Sequence, residues 1–495
     1  MRRLVWGCAA LLLLLVVGRD FLVATTFLGD DYVFRAFAHL ERNPLVAFVA
    51  DKHGGEYYRP IPMLLWWLLE RCGAGAVWPF AVSAFLLHCT CAVLLVVVAR
   101  RLRLPLRTSL LAGALFFAAP AEREAALWFS ASTDLLAAVA SLGSVACFLS
   151  WRRTGRLFSW ILAGVAFFSK ETALVLPLLV ASTLWYLDGA TDRQPGRRFR
   201  RIASKTVPYW LIAVAYLSAR TFVLRGIGGS NDVRAPLWAI AAQVAGGGVH
   251  AVSAYAPLPE WAAWLIGGSA LLAAGVVCRR SRPALLGLLW SALAVLPLPA
   301  AGWVVGARYF YLCAAGLMLL VAIALERATP WLSLAVVMGL STLGTVAANR
   351  RSSEIELYRE AVAAAKDAVR DGSAKGHRLF LVRGAVKDLD LAVKLDPTMA
   401  AAVENTVLIP DVPASFIQLP HDGAERLRFL FAEPPLPPSG AYRFGDEHIV
   451  GLARREEAPD LDEVLERLPE LRIVRLKLDA RPVVWRDITA DYQLR

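Results

Sequence analysis

The chain has 495 residues, 57% of them hydrophobic and 19% charged, with 53 Lys and Arg against 41 Asp and Glu for a net charge of +12. Soluble proteins average about 45–50% apolar and about 25% charged residues, and here the apolar excess gathers in long runs between residues 4 and 348, such as 78–99, 261–278 and 309–325. That excludes a soluble cytosolic enzyme, a disordered chain and a disulfide-rich secreted domain, and leaves a polytopic α-helical membrane protein with a polar tail.

In chain order, transmembrane helices are expected near 4–26, 78–99, 105–120, 126–151, 157–169, 172–187, 206–224, 261–278, 283–299, 309–326 and 330–348, about 11 in all. The first has the look of a signal peptide, because Arg2 and Arg3 precede a leucine-rich stretch. No clear small-x-small cleavage site follows, so an uncleaved first span is expected. A large first external loop, 28–77, separates it from the second. Ser169-Lys170-Glu171 interrupts what would otherwise be one long apolar run, and two charges there predict an external turn between two short spans. The stretch 236–256 is apolar enough to suggest a further crossing, but Gln243, Gly246 to Gly248, His250, Pro257 and Pro259 suit an amphipathic or re-entrant helix better.

From residue 350 the pattern changes. Residues 352–371 read as an amphipathic helix with Ile355, Val362, Ala365 and Val369 on one side. Short strands are expected at 379–382, 426–431, 473–476 and 483–485, a short helix at 460–468, and a rigid proline-rich loop at 434–438. The organisation is therefore 1–349, a transmembrane domain, and 350–495, long enough for one small α+β soluble domain. All seven cysteines lie in 1–349 with no CxxC spacing, and only Cys72 falls outside an apolar stretch. They read as small buried hydrophobes.

The charge is divided as sharply as the hydropathy. Residues 1–349 hold 31 basic and 16 acidic residues, a balance of +15, and the tail carries −3. The basic residues cluster between alternate spans: Arg2/Arg3, Arg100/Arg101/Arg103/Arg107, Arg152/Arg153/Arg156, the run 193–205, Arg279/Arg280/Arg282 and Arg327. Lys and Arg near span ends favour the cytoplasmic side. The N-terminus is then cytoplasmic, the tail extracytoplasmic, and the location an inner or plasma membrane. A second crossing at 236–256 would put Arg279 to Arg282 on the wrong face. With no basic soluble domain, nucleic acid is not an expected partner.

The same parity sends most acids of 1–349 to the external face. The first loop holds Asp30, Asp31, Glu41, Asp51, Glu56 and Glu70 with Arg35, Arg42, Lys52, Arg59 and Arg71. Later external segments add Glu122, Arg123, Glu124, Asp134, Lys170, Glu171 and Arg308. Charges at a membrane boundary are costly unless paired or hydrated, and often mark a site. Carboxylates beside fixed cations can deprotonate an incoming hydroxyl and hold a departing phosphate. Each group also has a structural reading: a helix cap for Asp30-Asp31, a turn at Tyr58-Arg59-Pro60, a solvated turn at Lys170-Glu171, an interfacial anchor at Arg308 with Tyr309 and Tyr311. His88 reads as a packing residue in a span, His250 in the re-entrant segment stays open between packing and lining a site, and Trp66, Trp67 and Trp78 read as interfacial aromatics. No ligand spacing around His39 or His53 argues for a metal, so no cofactor is expected and a divalent ion stays unassigned.

The order of motifs carries a resemblance. Asp30-Asp31-Tyr32 follows the first span, and Tyr58-Arg59-Pro60-Ile61 precedes the second. Pro120-x-x-x-Glu124-Ala125-Ala126 leads to Asp134-Leu135-Leu136, then to Ser169-Lys170-Glu171-Thr172, and Arg308-Tyr309-Phe310-Tyr311-Leu312 stands ahead of a span containing Gly316. Over roughly residues 10–326 this resembles the GT-C superfamily of membrane glycosyltransferases, and looks closest to bacterial relatives of the transmembrane, tetratricopeptide-containing protein O-mannosyltransferases. The tail lacks a tetratricopeptide pattern. The resemblance implies an inverting glycosyltransferase that moves a sugar from a polyprenyl-phosphate donor to a protein, glycan or lipid acceptor on the extracytoplasmic face. It implies Asp30 as general base with Asp31 supporting it or binding substrate, Glu124 and Asp134 as second-loop acids, Lys170 and Arg308 on the donor phosphate with Arg59 as a further candidate, and Glu171 paired with Lys170 or Arg308. Ala307, Cys313, Ala119 and Ser132 depart from the family's usual residues. A transporter or flippase, and a non-catalytic GT-C relative in envelope assembly, are the competing readings.

Overall fold

The computed structural model describes residues 11–19, 21, 26–28, 31–50, 57–73, 76–119, 128–150, 152–188, 195–226, 281–297, 307–375, 379–383, 407–411, 471–477 and 484–487, with scattered positions in 265–279. Expectations for 236–256, 426–431, 434–438 and 460–468, and for Asp30, Glu124, His53 and His250, lie outside the described residues.

The helices of the described residues include α1 Asp31–Leu40, α2 Pro60–Gly73, α3 Trp78–Arg101, α4 Leu106–Ala118, α5 Ser132–Phe148, α6 Arg153–Phe167, α7 Leu176–Asp188, α8 Pro195–Leu224, α9 Arg282–Val295, α10 Tyr311–Ala324 and α11 Pro330–Ala374. Short 3-10 turns at Phe129–Ala131, Glu171–Val175 and Ala307–Phe310 lead into α5, α7 and α10. Among the described residues four helical stretches are long and apolar enough to cross a membrane: Trp78–Arg101, Phe129–Phe148, Glu171–Asp188 and Gly196–Leu224. Shorter apolar helices occupy Leu106–Ala118, Arg282–Val295, Arg308–Ala324 and Pro330–Val346. The chain is a helical membrane protein.

The chain divides into two compact units, one of residues 1–25 and 41–351, the other of 26–40 and 352–495. In the first unit the core is built from α3 through α10, with Leu95, Leu115, Phe116, Leu135, Phe167 and Leu319 fully enclosed. Several polar groups inside it find partners within the helix bundle, which offsets the cost of burial in a medium without water. Ser144 Oγ donates to Ser159 O at 2.8 Å, and Ser159 and Tyr209 hydroxyls meet at 2.5 Å, tying α5, α6 and α8 together. His88 is buried, with Nδ1 2.8 Å from Tyr311 Oη and Nε2 3.2 Å from Phe117 O, and packs on Phe117. Helices α9 and α10 meet at glycines: a Cβ on Gly316 would stand 2.5 Å from Gly287 O and 2.7 Å from Ser291 N. The α3 helix ends in a six-to-one turn, Leu104 N donating to Ala99 O at 3.1 Å, with Arg103 left-handed at φ 66°. Glycine usually takes that position.

Trp66 corrects an expectation. It is fully buried rather than interfacial: its indole packs on Phe80 at 4.6 Å and donates to Ser132 Oγ at 3.1 Å. Trp78 is exposed. The span expected at 330–348 and the amphipathic helix expected at 352–371 both fall within α11, Pro330 to Ala374; Asn349, Arg350, Arg351 and Ser352 between them include neither glycine nor proline.

In the second unit, Asp31 closes the turn that starts α1. Its N–H donates to Leu28 O at 2.9 Å and its carboxylate accepts from Leu28 N at 3.0 Å. Tyr32 stacks on Tyr358 of α11 at 6.2 Å. Four strands, β1 Leu379–Arg383, β2 Val407–Asp411, β3 Leu471–Lys477 and β4 Val484–Asp487, form one sheet of order β2-β1-β3-β4. β1 is parallel to both β2 and β3, with Leu381 opposite Ile409 and Ile473; β3 and β4 are antiparallel, with Leu476 opposite Trp485.

Candidate functional site

Five of the expected site residues in the first unit meet at one cluster: Arg59, Asp134, Lys170, Glu171 and Arg308. Each is placed by an element end. Arg59 ends a segment without regular structure, 57–59, ahead of Pro60, which occupies the first position of α2, where a missing N–H costs nothing. The next amide, Ile61 N, has no partner inside its own helix. It donates to Phe168 O at 3.3 Å, which fastens the start of α2 to the end of α6. Asp134 sits in the first turn of α5, where a negative side chain is favoured by the exposed N–H groups. Lys170 is extended, φ −161° and ψ 145°, at the turn between α6 and α7, and Glu171 opens the 3-10 turn that follows. Arg308 lies in the 3-10 turn before α10.

Two ion-paired groups result. In the first, Lys170 Nζ donates to both carboxylate oxygens of Asp134 at 2.6 Å, and both side chains are 4% exposed. The ammonium also lies 4.5 Å from the centre of the Tyr309 ring, a cation–π contact. Burial lowers the pKa of Lys170 from its ordinary value; Asp134 opposes that shift, and the positive fields of Arg59 and Arg308 add to it. Beside it the Arg308 guanidinium stacks 4.0 Å from the Trp128 ring and 5.2 Å from Tyr309.

In the second group one carboxylate serves two guanidinium groups. Glu171 Oε2 accepts from Arg59 Nε at 3.2 Å and Nη2 at 2.9 Å, and Glu171 Oε1 accepts from Arg220 Nη1 at 2.6 Å. Arg59 also lies over Tyr57 at 4.2 Å. Burial works to lower the pKa of Arg59, but the adjacent Glu171 outweighs it and holds the value above the ordinary one, so the guanidinium stays charged. The expected pairing of Glu171 with Lys170 or Arg308 is thus replaced by pairing with Arg59 and Arg220. The two residues are adjacent in sequence, but the extended backbone at Lys170 turns their side chains to different neighbours.

Asp31 belongs to the second unit, where it is buried and closes the turn at Leu28. Among the described residues no group of three or more His, Cys, Asp or Glu could hold a metal ion.

The sequence reading missed Arg220, Tyr216 and Trp128. Arg220 had a signal: it is a charge inside the apolar run 206–224, and ionisable residues in such runs point to function. Tyr216, one helical turn earlier, stacks on Tyr58 at 6.0 Å and lies 3.4 Å from Arg220 Nη1.

Comparison with solved structures shows the fold. The crystal structure of ArnT from Cupriavidus metallidurans bound to undecaprenyl phosphate aligns with a TM-score of 0.53 at 15% identity, over 82% of this chain and 86% of that one. The apo form of the same protein aligns with a TM-score of 0.50 at 17% identity, over 83% and 86%. The fold is GT-C. Among curated proteins, the protein O-mannosyl-transferase Tmtc2 of Drosophila melanogaster is 35% identical over 158 residues, 29% of this chain and 17% of that protein, so the chain spans less than a fifth of its relative's length. No family model matches the chain. Arg59, Asp134, Lys170, Glu171 and Arg308 stand at the starts of α2, α5, α7 and α10, and Arg220 stands near the end of α8.

Proposed function

We propose that the chain is an integral-membrane glycosyltransferase that moves a sugar from a polyprenyl-phosphate donor to an acceptor hydroxyl on the extracytoplasmic face, with inversion at the anomeric carbon. The observation that carries this reading is the cluster of Arg59, Lys170, Arg220 and Arg308 with Asp134 and Glu171, standing in a fold shared with a protein solved with undecaprenyl phosphate bound. Fixed guanidinium groups suit a phosphate leaving group because they neutralise the charge that grows on it as the bond breaks.

In this mechanism Asp30 is the general base. It takes the proton of the acceptor hydroxyl as that oxygen bonds to the anomeric carbon, and the bond from that carbon to the phosphate oxygen breaks with its electron pair going to the phosphate. Asp31 supports the loop by closing the turn at Leu28. Arg59 and Arg308 face the donor phosphate, while Lys170, already held by Asp134, shapes the wall beside them. Glu124 contributes a further acid from the second external loop. About 11 spans with a cytoplasmic N-terminus, and an extracytoplasmic α+β domain from residue 350, complete the proposal.

The test is sugar transfer by the purified protein from a panel of polyprenyl-phosphate sugars. Asp30→Asn is expected to abolish transfer and to leave folding and undecaprenyl phosphate binding intact. Undiminished turnover in that variant removes Asp30 from the mechanism, and failure of the wild type to bind any polyprenyl-phosphate compound removes the donor class.

A further inference from the structure

Arg220 is a charge inside a helix that is long and apolar enough to cross a membrane, and it is 7% exposed. A buried cation in such a helix is expensive, and it is kept where it has work to do. Its Nη1 lies 2.6 Å from Glu171 Oε1, while the other oxygen of that carboxylate receives two N–H donors from Arg59. Tyr216, on the same face of α8, stacks on Tyr58 and also meets Phe168 in a T-shaped contact at 5.3 Å. Its hydroxyl donates to Tyr58 O at 3.4 Å. Side chains four apart on a helix lie above one another, so α8 grips two separate segments with one face: the entry to α2 through Tyr58, and the α6–α7 turn through Phe168 and Glu171.

We propose that Arg220 is a positioning residue that acts on Arg59 through Glu171. Arg59 has a flexible stem, and one carboxylate fixes where its planar fork points only if the carboxylate is itself fixed. Arg220 supplies that second hold. The inference rests on the reading of Arg59 as a contact of the donor phosphate. It goes beyond that reading by adding a residue that itself touches no substrate and sets the orientation of one that does.

The experiment uses the full-length protein in detergent, with two measurements on Arg220→Gln, Arg220→Lys, Arg59→Gln and the Arg220→Gln/Arg59→Gln pair. The first is hydrogen exchange at the amides of Ile61 and Met63, which bond to Phe168 O and Arg59 O. Arg220→Gln is expected to speed their exchange, and Arg220→Lys, which can still reach Glu171, to restore much of the protection. Unchanged exchange in a folded Arg220→Gln protein overturns the proposal, as does equal exchange in the Gln and Lys variants. The second measurement is affinity for undecaprenyl phosphate. Arg220→Gln is expected to weaken it about tenfold, the scale of coupling between residues in contact, with no further loss once Arg59 is Gln. Losses that add in the double variant mean that Arg220 acts on its own and overturn the proposal. Faster exchange with no change of affinity in any variant keeps Arg220 as the hold on Arg59 and removes the donor-phosphate reading instead.

Discussion

Lys170 and Asp134 bury a complete ion pair, and the cost of that burial decides what their substitution does. A buried pair adds little net stability over a well-packed apolar one, but breaking it from one side leaves an uncompensated charge. Lys170→Met is therefore expected to cost about 3–5 kcal/mol, read as a fall in the unfolding midpoint of the detergent-purified protein. Adding Asp134→Leu should recover much of the loss, and a double variant as unstable as the single one would show that the pair is not the cause. At this scale the identities were legible and the partnerships were not. Arg59, Asp134, Lys170, Glu171 and Arg308 could be read from sequence as charges at span ends. Which carboxylate meets which cation depends on backbone directions at Lys170 and Glu171, and on helices far apart in the chain. Arg220 stayed hidden because one charge in a long apolar window barely changes its average.

Helix contacts carry the next level of specificity. Where α9 and α10 cross, Gly287 and Gly316 let the backbones approach to a distance that no side chain permits, and small residues at such crossings are a general device of membrane helices. Gly316→Ala must push the helices apart and is expected to destabilise the protein by about 1–3 kcal/mol. Gly339 is the control: nothing lies within 4 Å of its Cβ position. Gly339→Ala is expected to gain about 0.5–1 kcal/mol from the reduced backbone freedom of alanine. Thermal unfolding of the two variants side by side checks both, and equal behaviour would refute the role given to the crossing. The expected strands at 379–382, 473–476 and 483–485 coincide with β1, β3 and β4. β2 went unread because it is short and contains Pro410. It lies at the edge of the sheet, where a missing N–H is tolerated. The parallel pairing of β1 with β2 and β3 is a long-range choice that no local pattern encodes. Trp66 was misplaced for the same reason: its cover comes from Phe80 and Ser132, which lie on other helices.

At the scale of the whole molecule, basic residues gather at helix ends. Arg100 and Arg101 end α3, Arg153 begins α6, and Arg197 to Arg201 fill the first turns of α8. Basic residues near span ends mark the cytoplasmic side. A cysteine at the exposed position Lys375, just past α11, should then react with an impermeant maleimide added outside cells with a permeabilised outer membrane. Protection of Lys375→Cys there, with labelling only after lysis, would reverse the topology and move the proposed site to the cytoplasm. The fold could be anticipated from the order of short charged motifs between apolar runs. That order is one-dimensional, and it says nothing of how one carboxylate comes to serve two cations.

Glu171 lies 112 residues from Arg59 and 49 from Arg220, yet both depend on it. A lineage that trades this glutamate for a neutral residue releases two like charges in one step, and repairs the damage only by giving up an arginine as well. Positions 59, 171 and 220 are therefore expected to drift together among related sequences, so that a census of homologues would record them as one inherited unit rather than three independent sites.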